Sequence, residues 1–402
     1  MRRKTRLVPE HILVFNSGSS SLKFSLFRHD NSDVNGEPLL GLLASGEIEA
    51  IGGSGPARFQ ASSGHGEQLV YELLEAATPL SASLLITRLL GKSGLPAPDA
   101  IGHRVVHGGP SLQRHCRIDD AVLQTITAAG ALTPLHAAAA LAVIGQQREA
   151  HPDCPQFACF DTAFHTSLPE RVRRLPLSLA LHEAGIRRYG FHGLSCESIL
   201  RQLGSPLPER IIVAHLGSGS SVTAIHSGRS FDTSMGLTPG GGLPMATRSG
   251  DLDPGVLLQL MRDPLWTTAR IEDLVERRSG LLGVSEVSGD MRRLHAVAAS
   301  NPKARLAIGQ YCVAVAKQIA AMISVLDGVD LLVFTGGLGE HDPKARAMIC
   351  DHLGWIGVKL YPQRNAEATN PLSACGSRVK VIVLPSQEAQ QIALHVAALT
   401  AA

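Results

Sequence analysis

The stretch "HILVFNSGSSSLKFSLF" (11–27) decides the fold class of this chain. An apolar run passes into the small and polar residues 16–23 and then into a second bulky run. Strand, Gly/Ser turn and strand is the pattern of an antiparallel β-hairpin. Residues without bulk also let backbone N–H groups come close to an oxyanion, so we expect this turn to approach a phosphate.

The same pattern returns half a chain later in "RIIVAHLGSGSSVTAIHSG" (210–228). Each copy has an apolar strand, a Gly/Ser turn and a second strand rich in β-branched or bulky residues. Self-similarity at this spacing indicates the duplication of a whole domain. The alternative is that both segments are ordinary hairpins.

Length and composition narrow the class of protein. A chain of 402 residues, 44% of them hydrophobic, is too long for one ordinary core and predicts two domains or lobes. A net charge of +2 argues neither for nor against any partner, but only 4% aromatic residues argue against a base-stacking surface for nucleic acid. We interpret the basic "RRK" at 2–4 as a solvated terminus and not as a nucleic-acid arm.

The cysteine pattern and the hydropathy predict a location. The 7 cysteines are dispersed without a CxxC pair, which is typical of reduced thiols in a cytosol and argues against structural zinc. No apolar run approaches the roughly 20 residues of a membrane span, and no signal sequence follows the basic start. We therefore expect a soluble cytoplasmic protein without a membrane partner.

Other segments alternate strands with helices. These are "AIGHRVVHGG" (100–109), "DLLVFTGGLGEHDPKARAMICDHL" (330–353) and "VIVLPSQEAQQIALHVAALTAA" (381–402). Asp342 followed by Pro343, and Asp253 followed by Pro254, predict two helix starts. The alternation, present in both halves, predicts an α/β fold of two lobes with a cleft between them.

Three glycine-rich turns are candidates for a nucleotide site. They are residues 16–23, ending in the candidate counter-charge Lys23, together with "HLGSGSS" (215–221) and "TGGLGEH" (335–341). None matches GxxxxGK[ST], so a P-loop is excluded, and the last turn gives only weak support for a dinucleotide site. One such turn usually only reverses the chain, but three in a half-chain repeat favour a nucleotide.

Cations and carboxylates recur beside these turns. An arginine offers a planar fork that suits a phosphate or a carboxylate, although a loop arginine is usually solvated. Asp161 directly follows an apolar strand, where a helix or turn cap is the alternative role. The candidates are Arg104, Arg248, Arg292 and His192 as cations, and Asp161 and Glu388 as acids.

Together these motifs resemble those of the acetate kinase family, which lies within the acetate and sugar kinase, heat-shock and actin superfamily. In family order they are "VFNSGSSSLKF", "GHRVVHGG", "FDTAFH", "RRYGFHG", "HLGSGSS", "DTSMGLTPGGGLPMATRSGDLDP", "SGLLGVSEVSGDMR" and "FTGGLGE". The resemblance implies two lobes of a duplicated actin-like, ribonuclease H-like fold. The N-terminal lobe would be 1–165, with the C-terminal helix 386–402 packing back on it, and the C-terminal nucleotide-binding lobe 166–385.

The resemblance also implies a role for individual residues. Asp161, Arg248, His192 and Arg104 would be catalytic, with Arg104 also binding the substrate carboxylate. Asn16 and Glu388 would hold Mg²⁺, with Mn²⁺ as the alternative ion. The acyl tail would contact Val106, Leu135, Phe191 and Pro239. ATP would contact Lys23, His215, Leu216, Gly217, Ser218, Gly219, Asp290, Met291, Arg292, Gly337, Leu338, Gly339, Glu340 and His341.

The chain departs from the family pattern at a few positions near phosphate and acceptor. Ser218 stands where the family usually has Asn, and His341 where it has Asn in "GIGEN". "HGLSC" replaces "HGTSH", which places Leu194 and Cys196 there, and two alanines follow His136 in place of "NP". These changes bear on rate and acceptor choice more than on reaction class.

The implied reaction is Mg-dependent transfer of a phosphoryl group from ATP to acetate, in a homodimer. An unperturbed carboxylate is already ionised near neutral pH, so the acceptor needs charge stabilisation rather than a strong base, and we interpret Asp161 as an orienting group. The alternatives are a propionate or other short-chain carboxylate kinase and a non-catalytic actin-like ATP-binding module. A sugar kinase would need a catalytic base and a polar pocket.

Overall fold

A computed structural model describes residues 9–18, 21–30, 39–52, 55–75 and 77–401, except the side chains of Leu39 and Leu135. The basic start at 2–4 and the centre of the first Gly/Ser turn lie outside these ranges. The chain forms two compact units. Unit 1 comprises the described residues of Met1–Ala163 and Gln387–Ala402, and unit 2 is Phe164–Ser386.

Unit 1 is built on one mixed sheet. Its strands are β1 (His11–Ser17), β2 (Ser21–Asp30), β3 (Leu39–Glu49), β4 (Ala57–Ser63), β5 (Gln68–Leu74), β6 (Ala100–Val105), β7 (Cys116–Arg117) and β8 (Gln156–Phe160). They lie in the order β5-β4-β3-β2-β1-β6-β8-β7. The β1–β2 pair is antiparallel, as the opening pattern predicts, and β1, β6 and β8 run parallel.

Among the described residues of unit 1, α-helices from four segments cover this sheet. They are α1 (Pro79–Lys92), α2 (Asp120–Ala129), α3 (Pro134–Ala150) and, from the chain end, α15 (Glu388–Ala401). Leu13 and Phe15 of β1 share a core with residues of α1 and α3. Side chains alternate along a strand, so Val14 and Asn16 lie on the other face. On that face a Cβ at Gly102 of β6 would fall 2.6 Å from Ile392, so the glycine lets α15 pack directly on the sheet.

Unit 2 carries the second sheet and most of the helices. Its strands are β9 (Arg210–Leu216), β10 (Ser220–His226), β11 (Arg229–Thr233), β12 (Leu331–Thr335) and β13 (Lys380–Val383). Its helices are α4 (Glu170–Arg173), α5 (Leu179–Glu183), α6 (Gly193–Leu203), α7 (Pro254–Met261), α8 (Thr268–Arg277), α9 (Gly280–Ser285), α10 (Met291–Val297), α11 (Pro302–Leu326), α12 (Gly336–His341), α13 (Pro343–Asp351) and α14 (Pro362–Glu367).

The two sheets repeat one arrangement. The order β11-β10-β9-β12-β13 in unit 2 matches β3-β2-β1-β6-β8 in unit 1. In both, an antiparallel meander is followed by two parallel strands. The α/β class and the duplicated lobes predicted from the two hairpins are therefore confirmed.

Helix α11 lies against the second sheet. Its buried side chains share a core with alternate residues of β9, including Ile212 and Ala214, while Ile211 and Val213 pack with α6 on the opposite face. Within the described ranges α11 alone has the length and apolar composition of a membrane span, at 25 residues. Because one face of it fills the core of unit 2, we interpret it as a core helix.

The predicted helix starts are present. The Asp342 side chain accepts a hydrogen bond from Ala345 N at 2.9 Å, with Pro343 at the first position of α13. Asp253 accepts from Gly255 N at 2.9 Å ahead of α7. These side chains satisfy N–H groups that a helix start leaves without a partner in the helix.

Candidate active site

Three predicted site residues of unit 1 lie in a row across neighbouring strands. Asn16 is opposite Lys23 in the antiparallel β1–β2 pair and level with Arg104 in the parallel β1–β6 pair. Directly paired residues point to the same face of a sheet. The register of the sheet therefore gathers residues that the sequence separates by up to 88 positions.

Arg104 is the centre of a network of side chains. Its Nε and Nη2 donate to Asp161 Oδ2 at 3.0 and 2.5 Å, and its Nη1 donates to Asn16 Oδ1 at 3.0 Å. The Asn16 Nδ2 in turn donates to Glu388 Oε2 at 2.8 Å. Helix α15 supplies Glu388 from its first turn, because it packs on the face of β1 that carries Asn16.

The network sets one guanidinium, that of Arg104, against the carboxylates of Asp161 and Glu388. Asp161 is fully buried, and Arg104 keeps only 15% of its side chain exposed. Burial by itself lowers the pKa of Arg104, but the carboxylates of Asp161 and Glu388 outweigh it and hold that pKa above its ordinary value. The guanidinium is therefore charged at any relevant pH and offers a fixed positive charge.

Lys23 has a different environment from the one its position in the turn suggests. It lies on β2, where its Nζ is 3.5 Å from Glu47 Oε2 of β3 and 60% of its side chain is exposed. It remains on the same face of the sheet as Asn16. A flexible lysine with a weak surface ion pair is available for a phosphate at little cost.

The predicted acyl-pocket residues are divided between the units. Val106 is buried directly after β6 in unit 1, whereas Phe191 and Pro239 are buried in unit 2. Leu135 is the second residue of α3, but its side chain is outside the described residues.

In unit 2 the ends of two parallel strands bring the predicted nucleotide turns together. Strand β9 ends at Leu216 and runs beside β12, which ends at Thr335. Gly336 has a φ of +77°, and a Cβ there would lie 2.7 Å from the Leu216 carbonyl oxygen. The predicted turn at 335–341 is instead helical, because residues 336–341 form α12. The start of α12 lies so close to the 216–219 turn that only a glycine fits at 336.

The residues of α12, which were predicted to contact the nucleotide, have distinct surroundings. Gly337 has open space around the position of a Cβ, whereas Gly339 packs against β9. Leu338 contacts the core of unit 2, and the Glu340 carboxylate accepts from Ser386 N at 2.9 Å. The His341 side chain is 81% exposed, so the residue that replaces the family's Asn points to solvent.

His192 stands at the start of α6 in a left-handed conformation, with φ of +57°. Its Nδ1 is 2.9 Å from Ser221 Oγ of β10, and its ring stacks on that of His215 at 4.1 Å. The His215 Nδ1 is in turn 2.8 Å from Ser195 Oγ. A left-handed residue is strained unless its surroundings hold it, and these contacts fix the imidazole.

His192 and Arg248 converge on the first turn of unit 2. A Cβ placed on Gly219 would be 3.3 Å from His192 Nε2 and 3.5 Å from Arg248 Nη1. Arg248 itself pairs through Nε with Glu276 Oε2 at 3.0 Å and approaches the Pro239 carbonyl oxygen at 3.4 Å. Two cationic or N–H-bearing side chains thus lie beside a bare glycine backbone, an arrangement suited to an oxyanion.

The third nucleotide segment begins α10. Asp290 caps this helix by accepting from Arg292 N at 2.9 Å, and its carboxylate pairs with the Arg292 side chain at 2.8 Å. That hydrogen-bonded arginine lowers the pKa of Asp290. Met291 is buried, while 90% of the Arg292 side chain is exposed. Of this segment, the arginine is therefore the part accessible to a ligand.

Two residues of this region were not identified from the sequence. His165 of the "FDTAFH" motif donates from Nε2 to the Phe191 carbonyl oxygen at 2.9 Å, while its Nδ1 is 2.8 Å from Ser230 Oγ. Burial lowers the pKa of His165 to about 4, which keeps the ring neutral. The other is Glu276, which resembles any charged helix residue in "EDLVERRSG" and whose contact with Arg248 depends on the fold.

Comparison with known proteins finds relatives that match nearly the whole chain. The acetokinase family model matches residues 11–394. An acetate kinase of Nitrobacter hamburgensis is 39% identical over 397 residues, covering 96% of this chain and 95% of that protein. An acetate kinase of Pseudomonas aeruginosa is 40% identical over 400 residues, covering 97% and 98%.

Solved structures agree with this assignment. A propionate kinase of Francisella tularensis has a TM-score of 0.84 at 33% identity, covering 96% of this chain and 98% of that one. An acetate kinase of Porphyromonas gingivalis has a TM-score of 0.81 at 33% identity, covering 97% and 99%. The resemblance deduced from the ordered motifs is confirmed, and the chain belongs to the acetokinase family.

Proposed function

We propose that this protein is an acetate kinase, an enzyme that transfers the terminal phosphoryl group of ATP reversibly to acetate and yields acetyl phosphate and ADP. The observation that carries the proposal is the convergence of His192 Nε2 and Arg248 Nη1 on the backbone of Gly219. A phosphoryl group in transfer spreads negative charge over its equatorial oxygens, and fixed cations and N–H groups stabilise that charge. Family membership supports the same reaction.

The acceptor carboxylate would bind at Arg104. An arginine has five N–H groups, and the contacts with Asp161 and Asn16 use three of them. One N–H on each Nη nitrogen is left for a substrate carboxylate. Asp161 would act as the orienting group, because its buried carboxylate fixes the plane of the guanidinium from the other side.

The nucleotide would occupy the strand ends of unit 2. Phosphate oxygens would accept from the backbone of His215–Gly219 and of Gly337–His341, where the glycines allow close approach. The exposed Arg292 beside Asp290 and Met291 would contact the nucleoside end, and Lys23 would supply a further positive charge.

Magnesium would be held by Asn16 and Glu388. Their side chains offer amide and carboxylate oxygens, the hard donors that Mg²⁺ prefers. The two side chains are neighbours, because Asn16 Nδ2 donates to Glu388 Oε2 at 2.8 Å. When bound, the ion neutralises phosphate charge. The chain's own contribution would be charge stabilisation: Arg104 would hold the acceptor carboxylate, and His192 and Arg248 would face the transferring group. The acceptor is already ionised and needs no strong base.

The remaining features follow the resemblance. We propose a cytoplasmic homodimer and lobe boundaries at 1–165, with 386–402 packing back, and 166–385. Sedimentation equilibrium of the purified chain tests the dimer. A monomer at micromolar concentration would contradict it.

Propionate kinase is the second candidate, because a solved relative of similar fold carries that name. Val106 is buried at 5% exposure, and we expect a valine there to leave room for a methyl and an ethyl group but not for a propyl group. A methylene that does not fit costs about 1–3 kcal/mol. We expect acetate to be the best acceptor, propionate to follow within about tenfold in kcat/KM, and butyrate to be far behind.

An ATP-dependent hydroxamate assay over acetate, propionate and butyrate tests the function. Acyl phosphate from acetate supports the proposal, and its absence with all three acids overturns it. The variant Val106→Ala should narrow the gap between acetate and propionate, because it removes the side chain that meets the second carbon. If butyrate is the best acceptor, or if Val106→Ala leaves the ratios unchanged, the acyl tail does not contact this residue.

A further inference from the structure

We propose that Glu276 is a positioning residue that sets the orientation of Arg248 for phosphoryl transfer. This inference rests on the proposed function, since that function assigns Arg248 its role in phosphoryl transfer. The inference adds a residue that neither the motifs nor the comparisons assign. It is carried by contacts at the end of α8, all of them within unit 2.

The first set of contacts is between side chains. Glu276 Oε2 accepts from Arg248 Nε at 3.0 Å. This bond uses the single N–H of Nε, while Nη1 donates to the Pro239 carbonyl oxygen at 3.4 Å. Nη1 lies near the Gly219 backbone, 3.5 Å from where a Cβ would be. Glu276 thus binds the arginine at the edge away from the proposed phosphate position.

The second set ties the backbone around Arg248 to the same helix end. The Thr247 hydroxyl donates to the Glu276 carbonyl oxygen at 2.8 Å. On the other side, Ser249 N donates to the Val275 carbonyl oxygen at 2.9 Å. The residues before and after Arg248 are therefore anchored to the last turn of α8, and the arginine leaves a backbone segment whose position α8 determines.

Gly240 provides an independent sign of close fitting. A Cβ at Gly240 would lie 2.4 Å from Glu276 Oε1. The glycine next to Pro239 thus makes room for the carboxylate. One oxygen of Glu276 thus contacts Arg248, and the other lies in the space that a side chain at Gly240 would fill.

The environment makes this pair more than a surface ion pair. The side chains of Arg248 and Glu276 are 14% and 23% exposed. Exposed ion pairs are screened by water and contribute little to stability, whereas a pair that is largely shielded from water keeps its geometry. An arginine side chain has many rotamers. Fixing one of them before the substrate binds lowers the entropic cost of reaching the transition state. We therefore expect the effect in kcat and not in the affinity for ATP.

The experiment compares Glu276→Gln with Glu272→Gln in the hydroxamate assay. Glu272 lies one turn earlier on α8 and is exposed, so it is the matched control. Replacing the ionised acceptor by a neutral amide weakens the charge-assisted hydrogen bond to Arg248 and predicts a fall in kcat of about tenfold for Glu276→Gln. KM for ATP and the thermal midpoint should stay within about twofold and about 2 °C of the parent, and the control should behave like the parent.

A double variant separates positioning from other roles. In an Arg248→Ala background, adding Glu276→Gln should cause no further loss, because the partner through which Glu276 acts is gone. Equal losses in both backgrounds, an unchanged kcat, or a raised KM with a lowered melting midpoint would each overturn the inference. If Glu276→Gln does not fold, Glu276→Asp, which keeps the charge but has a shorter reach, must show the same fall in kcat with folding retained.

Failure of the inference and failure of the function are distinguishable. If Arg248→Ala loses turnover while Glu276→Gln keeps it, only the positioning role is wrong. If the parent protein forms no acyl phosphate, the proposed function falls, and the role of Glu276 falls with it.

Discussion

The central strands β1 and β9 occupy the same place in the two sheets but end in different chemistry. Near the end of β1 lies Asn16, whose amide joins the charged side chains of Arg104 and Glu388. Strand β9 ends with Leu216 and passes into Gly217–Gly219, which presents backbone. A duplicated scaffold thus supplies two equivalent strand ends, and the residues that follow decide whether side chains or N–H groups act there.

This difference predicts two kinds of sensitivity. In unit 1 the network is complete in side chains, so removing one charge leaves a buried partner behind, which is costly. In unit 2 function depends on close backbone approach and on cations beside it, so an added Cβ or a lost cation does the damage. The following substitutions test the two kinds separately.

Arg248→Ala should have the largest effect. Removing a donor that acts on the transition state lowers turnover by two or more orders of magnitude. Binding of ATP, measured by titration calorimetry, should change little because the loss is in the transition state. Arg278→Ala is the control, since that arginine is 74% exposed in the same unit. Near-normal turnover in folded Arg248→Ala would remove the arginine from the proposed mechanism.

Asp161→Asn tests the side-chain network of unit 1. The carboxylate receives two hydrogen bonds from Arg104, so its neutralisation should lower turnover by roughly tenfold to a hundredfold. If Asp161 orients Arg104 and the metal site, the defect should vary with Mg²⁺ concentration. Turnover measured across a Mg²⁺ series checks this. A mutant that only loses an acidic limb of the pH–rate profile would instead indicate a general base.

Gly336→Ala tests the backbone contact of unit 2. The left-handed φ and the Leu216 oxygen 2.7 Å from a Cβ predict a loss of about 1–3 kcal/mol in the free energy of unfolding. The control Gly309→Ala lies within α11 with open space around the added Cβ, and should stabilise by about 0.5–1 kcal/mol. Urea unfolding of both variants checks the opposite signs. Equal changes would mean that the 336 turn relaxes freely.

Local patterns were enough to predict the hairpins and the helix starts. An Asp followed by Pro sets a helix start from adjacent atoms, which is why Asp342 and Asp253 were identified. Asp161 was predicted only as an orienting group. Its pairing with Arg104 could not be predicted, because that contact depends on the parallel register of β6 and β8. Strand register is a property of the whole sheet and not of any one segment.

The extent of the first sheet and the residue behind Arg248 could not be predicted. Strands β4 and β5 add an antiparallel extension that has no counterpart in unit 2. The repeat of the two hairpins in the sequence therefore could not predict it. Glu276 contacts Arg248 because α8 ends beside the segment that carries the arginine. A carboxylate on a helix surface and one on a site arginine have the same sequence signature.

Ser218→Asn should have the smallest effect and bears on the glycine loop itself. Ser218 is exposed at the turn after β9, and its carbonyl oxygen accepts from Ala246 N at 3.3 Å. An Asn has a longer reach than Ser, and the exposed position leaves room for it. One added hydrogen bond to phosphate is worth about 1 kcal/mol, which corresponds to roughly fivefold in kcat or in the affinity for ATP.

The variant Ser218→Ala shows how much the present hydroxyl contributes, and both variants should melt like the parent. A large loss in Ser218→Asn would mean that the turn is built around serine. Unit 2 would then depend on side chains at its strand end as unit 1 does, and the contrast between the two strand ends would be smaller than their sequences indicate.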